Sequence, residues 1–157
     1  MAAEIERKFL LDEKPEWLSG CESKEMEQGY LVVGERDEVR LRRAGDSLRM
    51  TVKRGHGMSR DETEIDLEPR QFAELWPLTE GRRVAKTRYL VPLDDGLTAE
   101  VDLYGEEHGG LMVVEVEFGS EPQSHAFEPP DWFGRDVTGR REFSNQRLAL
   151  EGFSRPA

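Results

Sequence analysis

The residues most suggestive of chemistry are three charged side chains near the start of the sequence. Glu4, Glu6 and Lys8 occupy every second position of the segment. Successive side chains of a β-strand point to opposite faces, so these three charges share one face of a sheet. Two carboxylates followed by an ammonium group would suit a divalent cation bound beside a phosphate. The pattern gains weight because most of the later strand-like segments repeat it.

The overall composition limits the classes of function. The chain has 157 residues, 35% charged and 36% hydrophobic, which predicts a single folded domain over 1–157. Its formal net charge of −11 argues against general binding to nucleic acid or to anionic membranes. An anionic small molecule stays compatible where basic residues converge locally. Cys21 is the only cysteine, and no apolar run suits a signal peptide or membrane span, so we expect a cytoplasmic protein.

Signatures of several common catalytic classes are missing. The three histidines, His56, His108 and His125, are scattered, and Cys21 has no partner at a zinc-ligand spacing, which argues against a zinc site. The sequence contains no P-loop, GxSxG or GxGxxG motif. The repeated charged residues are therefore the best candidates for a site.

Alternation of charged and apolar residues dominates the sequence and predicts a mainly β fold. Short turn-forming spacers join several of the strand-like segments, as is typical of antiparallel hairpins. Three short helices are expected, from Glu68 to Pro77, over about 121–127, and from Ser144 onward. The strands are expected at about 3–11, 25–34, 36–44, 47–55, 60–68, 82–92, 97–105 and 111–119.

The charged residues of these segments share one face, and the apolar residues share the other. The signs cluster by strand: acidic, basic, basic, acidic, basic, acidic and acidic. In an ordinary sheet the charged face would turn to water. Eight strands are about the number that closes a small barrel. We therefore predict an α+β, mainly β fold: a closed eight-stranded antiparallel β-barrel with a charged interior and the helices packed outside.

A charged interior is costly unless its charges are paired or bound by ligands. Carboxylates from several strands can bind hard divalent cations through oxygen. Lys and Arg side chains can bind a polyanion, with Arg forks suited to bidentate phosphate contacts. A metal-chelated oligophosphate satisfies both sets of charges together.

The same residues resemble a known family. Glu4-Ile5-Glu6-Arg7-Lys8 is similar to the ExExK signature of the CYTH superfamily, the triphosphate tunnel metalloenzymes. The compact length and the segment Trp132 to Thr138 are most similar to the short bacterial inorganic triphosphatases of that superfamily. Further matches in the family's order are Gln28 to Leu31, Val39 to Arg42, Thr51 to Lys53, Glu62 to Glu64, Lys86 to Tyr89, Glu100 to Asp102 and Val114 to Glu117.

The resemblance implies hydrolysis of the terminal phosphoanhydride bond of a linear triphosphate, dependent on one or two Mg²⁺ or Mn²⁺ ions. It implies a catalytic pair of Lys8 and Tyr30. The implied metal ligands are Glu4, Glu6, Glu62, Glu64, Glu100, Asp102, Glu115 and Glu117. The implied phosphate-binding residues are Lys8, Arg40, Arg42, Lys53, Lys86 and Arg88, with Arg141 in place of a Lys that many members carry. Phe143 stands where those members have Tyr, which removes a hydroxyl group.

Several alternatives stay open at this level. Lys8 suits a phosphate clamp, a group that polarises water through Tyr30, or a salt-bridge partner of nearby carboxylates. The same fold supports adenylate cyclases and thiamine or nucleoside triphosphatases. A non-catalytic polyphosphate-binding module is the alternative from another class. The expected partner is a small polyanionic substrate, without nucleic acid or membrane, and a homodimer is left open.

Overall fold

A computed structural model describes residues 5–55 and 61–152 of the chain, apart from the side chain of Glu106. The mainly β fold predicted from the sequence is confirmed. The strands are β1 (Ile5–Leu10), β2 (Glu22–Val33), β3 (Asp37–Ala44), β4 (Ser47–Arg54), β5 (Asp61–Asp66), β6 (Arg83–Pro92), β7 (Thr98–Tyr104) and β8 (Met112–Phe118). The helices are α1 (Pro69–Leu75), α2 (Glu121–Ala126) and α3 (Asn145–Glu151). Within the described ranges, no helix is long and apolar enough to cross a membrane.

The strands form one antiparallel sheet in the order β1-β8-β7-β6-β2-β3-β4-β5. Most neighbours in the chain are neighbours in the sheet, as short hairpin connections require. The exceptions are β1, which pairs with β8, and β2, which pairs with both β3 and β6 and so joins the two halves of the sheet. The edge strands of this order are β1 and β5.

The sequence predicted a closed barrel, but no ladder joins β1 to β5 among the described residues. The outer edge of β1 is occupied by a later segment of the chain. Leu10 donates to the carbonyl of Arg135 and accepts from the amide of Gly134, and Lys8 accepts from the amide of Val137. These backbone N–H and C=O groups of β1 are already hydrogen-bonded, so this edge of β1 is not available for pairing with β5. The described strands therefore form an eight-stranded sheet in which the edge strands β1 and β5 do not pair with each other.

The register places charged side chains side by side on one face of the sheet, here called the inner face. Lys8 lies opposite Glu115, and Lys53 lies opposite Glu62. Directly opposed residues of antiparallel strands have neighbouring side chains on the same face. Further pairs on the inner face are Gln28 with Arg42, Arg88 with Asp102, and Glu100 with Glu115.

The outer face carries the larger hydrophobic core, as the alternation predicted. Phe9, Val101 and Val116 are buried there together with Phe133 from the segment after α2. On the other half of the sheet, Phe72 of α1 stacks on Trp76 at a centroid distance of 5.2 Å. Helix α1 packs against β4, and α2 packs against β1 and β8, so the expected cover of the outer face by the first two helical regions is confirmed.

The third helix packs differently from the expectation that all helices lie outside. Leu148 of α3 is buried against Tyr30, Val84 and Tyr104. These three residues lie on the inner face, because Lys86, two residues after Val84, pairs with Tyr104. Helix α3 therefore packs against one end of the inner face, and Leu150 on the same helix is exposed.

A close approach at Gly29 gives a test of the outer packing. A Cβ atom at Gly29 would lie 2.5 Å from Thr79 Oγ1 and 2.9 Å from Trp76 Cζ3. Gly29→Ala should lower the free energy of unfolding by about 1–3 kcal/mol through overpacking, measured by urea denaturation. Gly20→Ala is the control, since a Cβ there meets nothing within 4 Å. Equal stability of the two variants would contradict this packing.

Candidate active site

A polar cavity of about 530 Å³ lies on the inner face. All eight strands and the start of α3 contribute to it, so the sheet curves around this space although β1 and β5 do not pair. Its lining contains seven carboxylates and five cationic side chains. The lining residues are Glu6, Lys8, Tyr30, Glu38, Arg40, Arg42, Lys53, Glu62, Glu64, Arg88, Glu100, Glu115, Glu117, Ser144, Asn145 and Gln146.

Most of the residues selected from the sequence lie together in this cavity. Glu4 falls outside the described residues. Three others do not line the cavity: Lys86 and Asp102 are buried beneath its wall, and Arg141 is exposed elsewhere. The twelve predicted residues that do line it are Glu6, Lys8, Tyr30, Arg40, Arg42, Lys53, Glu62, Glu64, Arg88, Glu100, Glu115 and Glu117.

The charges are sorted across the sheet. The cations of the lining come chiefly from the middle of the sheet: Arg88 on β6, Arg40 and Arg42 on β3, and Lys53 on β4. Most carboxylates come from the strands toward the two edges, β1, β8 and β7 on one side and β5 on the other. Curvature of the sheet brings these acidic edges around to face the basic middle. A polyanion bound to the middle strands would thus meet carboxylate-bound cations on its other side.

Beneath the cavity lies an ionic cluster centred on Asp102. This carboxylate is 1% exposed. It accepts from Lys86 Nζ at 2.8 Å and from Arg88 Nε and Nη2 at 2.8 and 2.9 Å. The Nη1 atom of Arg88 also lies 2.6 Å from Glu100 Oε2. The sequence predicted Asp102 as a metal ligand and Lys86 as a phosphate contact. In the structure both side chains are buried below the cavity wall, where they pair with each other.

The pKa values in this cluster follow from burial and pairing. Burial raises the pKa of Asp102, but the charges and hydrogen bonds of Lys86 and Arg88 outweigh it and hold that pKa below its usual value. Burial lowers the pKa of Lys86, and the charge of Asp102 only partly compensates. Burial also raises the pKa of Glu100. The contacts of the cluster thus favour an ionised Asp102.

Three arginines crowd the basic middle of the sheet. Arg42 donates from Nε to Gln28 Oε1 at 2.9 Å. Burial lowers the pKa of Arg42, and the neighbouring charges of Arg40 and Arg88 lower it further. Because like charges repel in this partly desolvated place, a bound anion would relieve the repulsion. These guanidinium groups are therefore suited to bind phosphate.

Lys8 has definite partners in the structure. Its Nζ atom lies 3.2 Å from Glu115 Oε1 and donates to the carbonyl oxygen of Phe143 at 3.1 Å. Of the three roles left open by the sequence, the salt-bridge contact is the one present in the structure. The position on the cavity wall also keeps the ammonium within reach of a bound polyanion.

Tyr30 is only 1% exposed, although it borders the cavity. Burial, with a smaller contribution from Glu38, raises the pKa of its phenol to about 12. The phenol therefore stays protonated at neutral pH and is a hydrogen-bond donor rather than a base.

Glu38 is a lining residue that the sequence reasoning missed. It is 5% exposed, accepts from Gln146 Nε2 at 2.9 Å, and lies 4.0 Å from Arg40 Nη1. The period-2 rule would have found it, because it stands two residues before Arg40 on the same strand face. Ser144, Asn145 and Gln146 gave no such signal, since their place depends on how α3 packs on the sheet.

Arg141 does not replace the family's Lys in the cavity. It is exposed and borders a different surface depression, together with Gly34, Glu35 and Arg147. The short 3₁₀ helix Arg141–Phe143 instead buries Phe143 among the residues that hold Leu148. The structure therefore places Arg141 outside the cavity, and Phe143 takes the inward position of this turn.

The carboxylates of the cavity supply the hard oxygen donors that Mg²⁺ and Mn²⁺ prefer. In the described residues, no three His, Cys, Asp or Glu side chains are gathered closely enough to hold a metal by themselves. This agrees with the chemistry of Mg²⁺, which usually binds one or two carboxylates together with waters and substrate phosphates. The donor set therefore fits a metal ion that binds with an anionic substrate.

Known proteins are similar to this chain in sequence and in fold. The chain is 46% identical over 148 residues to an inorganic triphosphatase from Nitrosomonas europaea, across 94% of this chain and 97% of the relative. The chain belongs to the inorganic triphosphatase family. A second inorganic triphosphatase, from Acetivibrio thermocellus, is 33% identical over 150 residues, again across 94% of both chains. No protein-family model matches the sequence.

Solved structures agree with the inorganic triphosphatase assignment. A crystal structure of an inorganic triphosphatase matches with a TM-score of 0.78 at 43% identity, covering 100% of this chain and 99% of that chain. A putative adenylyl cyclase from Hippeastrum, with a dominant triphosphatase activity, matches with a TM-score of 0.57 at 15% identity, over 78% of this chain and 83% of that one. The latter likeness shows a shared fold alone. The resemblance to the CYTH superfamily is confirmed.

The buried cluster predicts a large cost for neutralising its carboxylate. Asp102→Asn removes the carboxylate paired with Lys86 and leaves Arg88 with Glu100 alone, so the free energy of unfolding should fall by about 3–5 kcal/mol in urea denaturation at neutral pH. Asp37→Asn, which breaks the exposed pair with Arg54, is the control and should change stability by less than about 0.5 kcal/mol. A loss at Asp102 no larger than at Asp37 would contradict the cluster.

The same carboxylate predicts a dependence on pH. Because the pKa of Asp102 is lowered in the folded state, its stabilisation is complete above the unfolded-state pKa of about 3.9. The stabilisation is lost as the pH falls through the folded-state value. The stability difference between wild type and Asp102→Asn should therefore shrink below about pH 4. A constant difference from pH 7 to pH 2.5 would show that Asp102 does not titrate as described.

Proposed function

We propose that this protein hydrolyses inorganic triphosphate to pyrophosphate and phosphate, with a divalent cation, in the cavity of the inner face. The observation that carries the proposal is the division of the cavity into a basic middle and acidic edges. Family membership through the relative from Nitrosomonas europaea supports the same reaction. The proposal does not require a closed tunnel, since strands on both edges of the sheet already border the cavity.

The proposed phosphate-binding residues are Lys8, Arg40, Arg42, Lys53 and Arg88. Phosphoryl transfer requires chiefly that the protein position the phosphates and stabilise their charge. Guanidinium groups from two different strands would hold successive phosphates in line, and Lys53 would bind from the next strand. Lys86 supports this set from below by pairing with Asp102, so that Arg88 keeps its orientation.

The proposed metal-binding residues are Glu6, Glu62, Glu64, Glu115 and Glu117, with Glu100 beside them. Glu4, which shares the predicted first strand with Glu6, is proposed to join them. Mg²⁺ or Mn²⁺, when bound, would neutralise charge on the leaving pyrophosphate and lower the pKa of the attacking water. The carboxylates would orient that water and keep the acidic side of the cavity from binding a bare polyanion.

We propose Lys8 as a phosphate clamp and Tyr30 as a donor. Glu115 holds the ammonium of Lys8 at the cavity wall, and a bound phosphate would offer it a second anionic partner. The raised pKa of Tyr30 keeps its proton in place, so the phenol is proposed to donate to substrate or water.

A substrate panel tests the reaction. Tripolyphosphate, ATP and thiamine triphosphate are compared with Mg²⁺, with Mn²⁺ and with excess chelator, and phosphate and cyclic AMP are measured. We expect the highest kcat/KM with tripolyphosphate and no turnover with chelator. Cyclic AMP as the main product would indicate a cyclase, and absence of turnover despite tripolyphosphate binding would indicate a binding module.

Substitutions on the acidic and basic sides of the cavity should have different effects on kcat and on affinity for tripolyphosphate. Glu117→Gln should lower kcat at least about 100-fold. It should leave the affinity for tripolyphosphate in EDTA equal or tighter, because one repelling charge is removed. Arg40→Ala should weaken that affinity about 10- to 100-fold. Isothermal titration calorimetry in EDTA measures the affinity of both variants for tripolyphosphate. Glu74→Gln, whose side chain is exposed on α1, is the control. Weaker metal-free binding in Glu117→Gln would contradict the division of roles.

The state of Tyr30 is open to a pH test. The pKa of Tyr30 is raised to about 12, so its phenol should not titrate below about pH 10. Tyr30→Phe should therefore lower kcat but leave the shape of the pH profile of kcat, including its alkaline limb, unchanged up to about pH 10. A limb that shifts in Tyr30→Phe would show that the phenolate takes part.

A further inference from the structure

Asn145 stands at the start of α3, borders the cavity and contacts the buried cluster. Its side-chain oxygen, Oδ1, accepts from the hydroxyl of Tyr104 at 2.5 Å and from Lys86 Nζ at 3.2 Å. Nothing in the sequence pattern pointed to this residue, because its place depends on the packing of α3 against the inner face.

The two contacts fix which way the amide faces. A Lys ammonium group can only donate hydrogen bonds, so the atom that faces Lys86 must be the amide oxygen. The phenol of Tyr104 is likewise the donor in its contact with Oδ1. With Oδ1 held by two donors, the amide nitrogen, Nδ2, must point away from the cluster.

The amide nitrogen is left open toward the cavity. Every hydrogen bond described for the Asn145 side chain goes to Oδ1. In the ranges 5–55 and 61–152, the enclosed side-chain atoms without a partner belong to Gln28, Glu38, Arg40 and His108. Nδ2 is thus neither bonded nor enclosed, and Asn145 itself borders the polar space of the cavity.

We infer that Asn145 is a substrate-binding residue whose Nδ2 donates a hydrogen bond to a non-bridging oxygen of the bound triphosphate. Tyr104 is its positioning residue, since it holds the amide in the orientation that presents Nδ2. This inference rests on the proposed function for the identity of the anion. A neutral donor here adds a directed contact to the charge contacts of the arginines, without further crowding of like charges.

Two substitutions at Asn145 separate substrate binding from structural support. Asn145→Asp keeps the shape and an acceptor for Tyr104 and Lys86, but replaces the donor by a carboxylate oxygen. Asn145→Ala removes all of these contacts. Loss of a donor to a charged group should lower kcat/KM for tripolyphosphate about 10- to 100-fold. The Asp variant should be worse than the Ala variant, because it places a negative charge toward the phosphates.

A purely structural role predicts the reverse order. Asn145→Asp would then resemble wild type in activity and thermal midpoint, and Asn145→Ala would lose both. That order, or a kcat/KM within about twofold of wild type for both variants, would overturn the inference.

A double-mutant cycle tests Tyr104. Tyr104→Phe should raise KM and lower kcat/KM in the wild-type background but have little further effect in Asn145→Ala. Tyr89→Phe, on the opposite strand face, is the matched control and should leave kcat/KM unchanged. Equal effects of Tyr104→Phe in both backgrounds would show that it does not act through Asn145.

Metal-free binding keeps this inference separate from the proposed reaction. Affinity for tripolyphosphate in EDTA is measured by calorimetry for wild type and for both Asn145 variants. If wild type binds but does not hydrolyse, weaker binding by Asn145→Asp upholds the contact while the proposed function fails. If wild type hydrolyses and Asn145→Asp binds as wild type does, the contact fails alone. If wild type does not bind tripolyphosphate, both are overturned.

Discussion

The pairing of Asp102 with Lys86 and Arg88 is the interaction on which the interior depends. These three charged groups lie at or below the wall of the cavity. None would be stable there without a partner, because an unpaired buried charge costs several kcal/mol. Their mutual contacts are short and include hydrogen bonds from both cations. Arg88 reaches from this cluster to the cavity wall, where it also contacts Glu100. The pairing that neutralises the buried charges thus also fixes the guanidinium group of Arg88 at the cavity wall.

The same requirement explains how the rest of the charges are arranged. The basic strands occupy the middle of the sheet, and most carboxylates lie toward its edges. Curvature then brings opposite charges across a shared space rather than like charges. The segment from Gly134 to Val137 covers the edge of β1 and so protects it from further strand pairing. Helix α3 supplies uncharged polar groups to the cavity, whose lining from the strands is charged apart from Tyr30.

The sequence was informative wherever alternation alone determines the position of a side chain. Glu6, Lys8, Arg40 and Glu115 share the inner face because strand residues two apart must do so. Depth was not predictable in this way. Asp102 and Glu100 stand two residues apart on one face, yet one is buried beneath the wall and the other lines the cavity. That difference comes from the curvature of the sheet and the partners across it.

Elements outside the strands were the harder part. Three short helices were predicted at the right places, but the side of the sheet to which α3 packs follows from Phe143, Val84 and Leu148, which meet only in the fold. The closed barrel was predicted from the number of strands, and it did not account for a non-strand segment that pairs with β1. Asn145 was missed for the same reason as the packing of α3.

The most direct measurement is a ³¹P nuclear magnetic resonance time course of tripolyphosphate with the wild-type protein and Mg²⁺. The account predicts that each tripolyphosphate yields one pyrophosphate and one orthophosphate, and that the spectrum stays unchanged when a chelator removes the metal. A spectrum that stays unchanged with both Mg²⁺ and Mn²⁺ would contradict it.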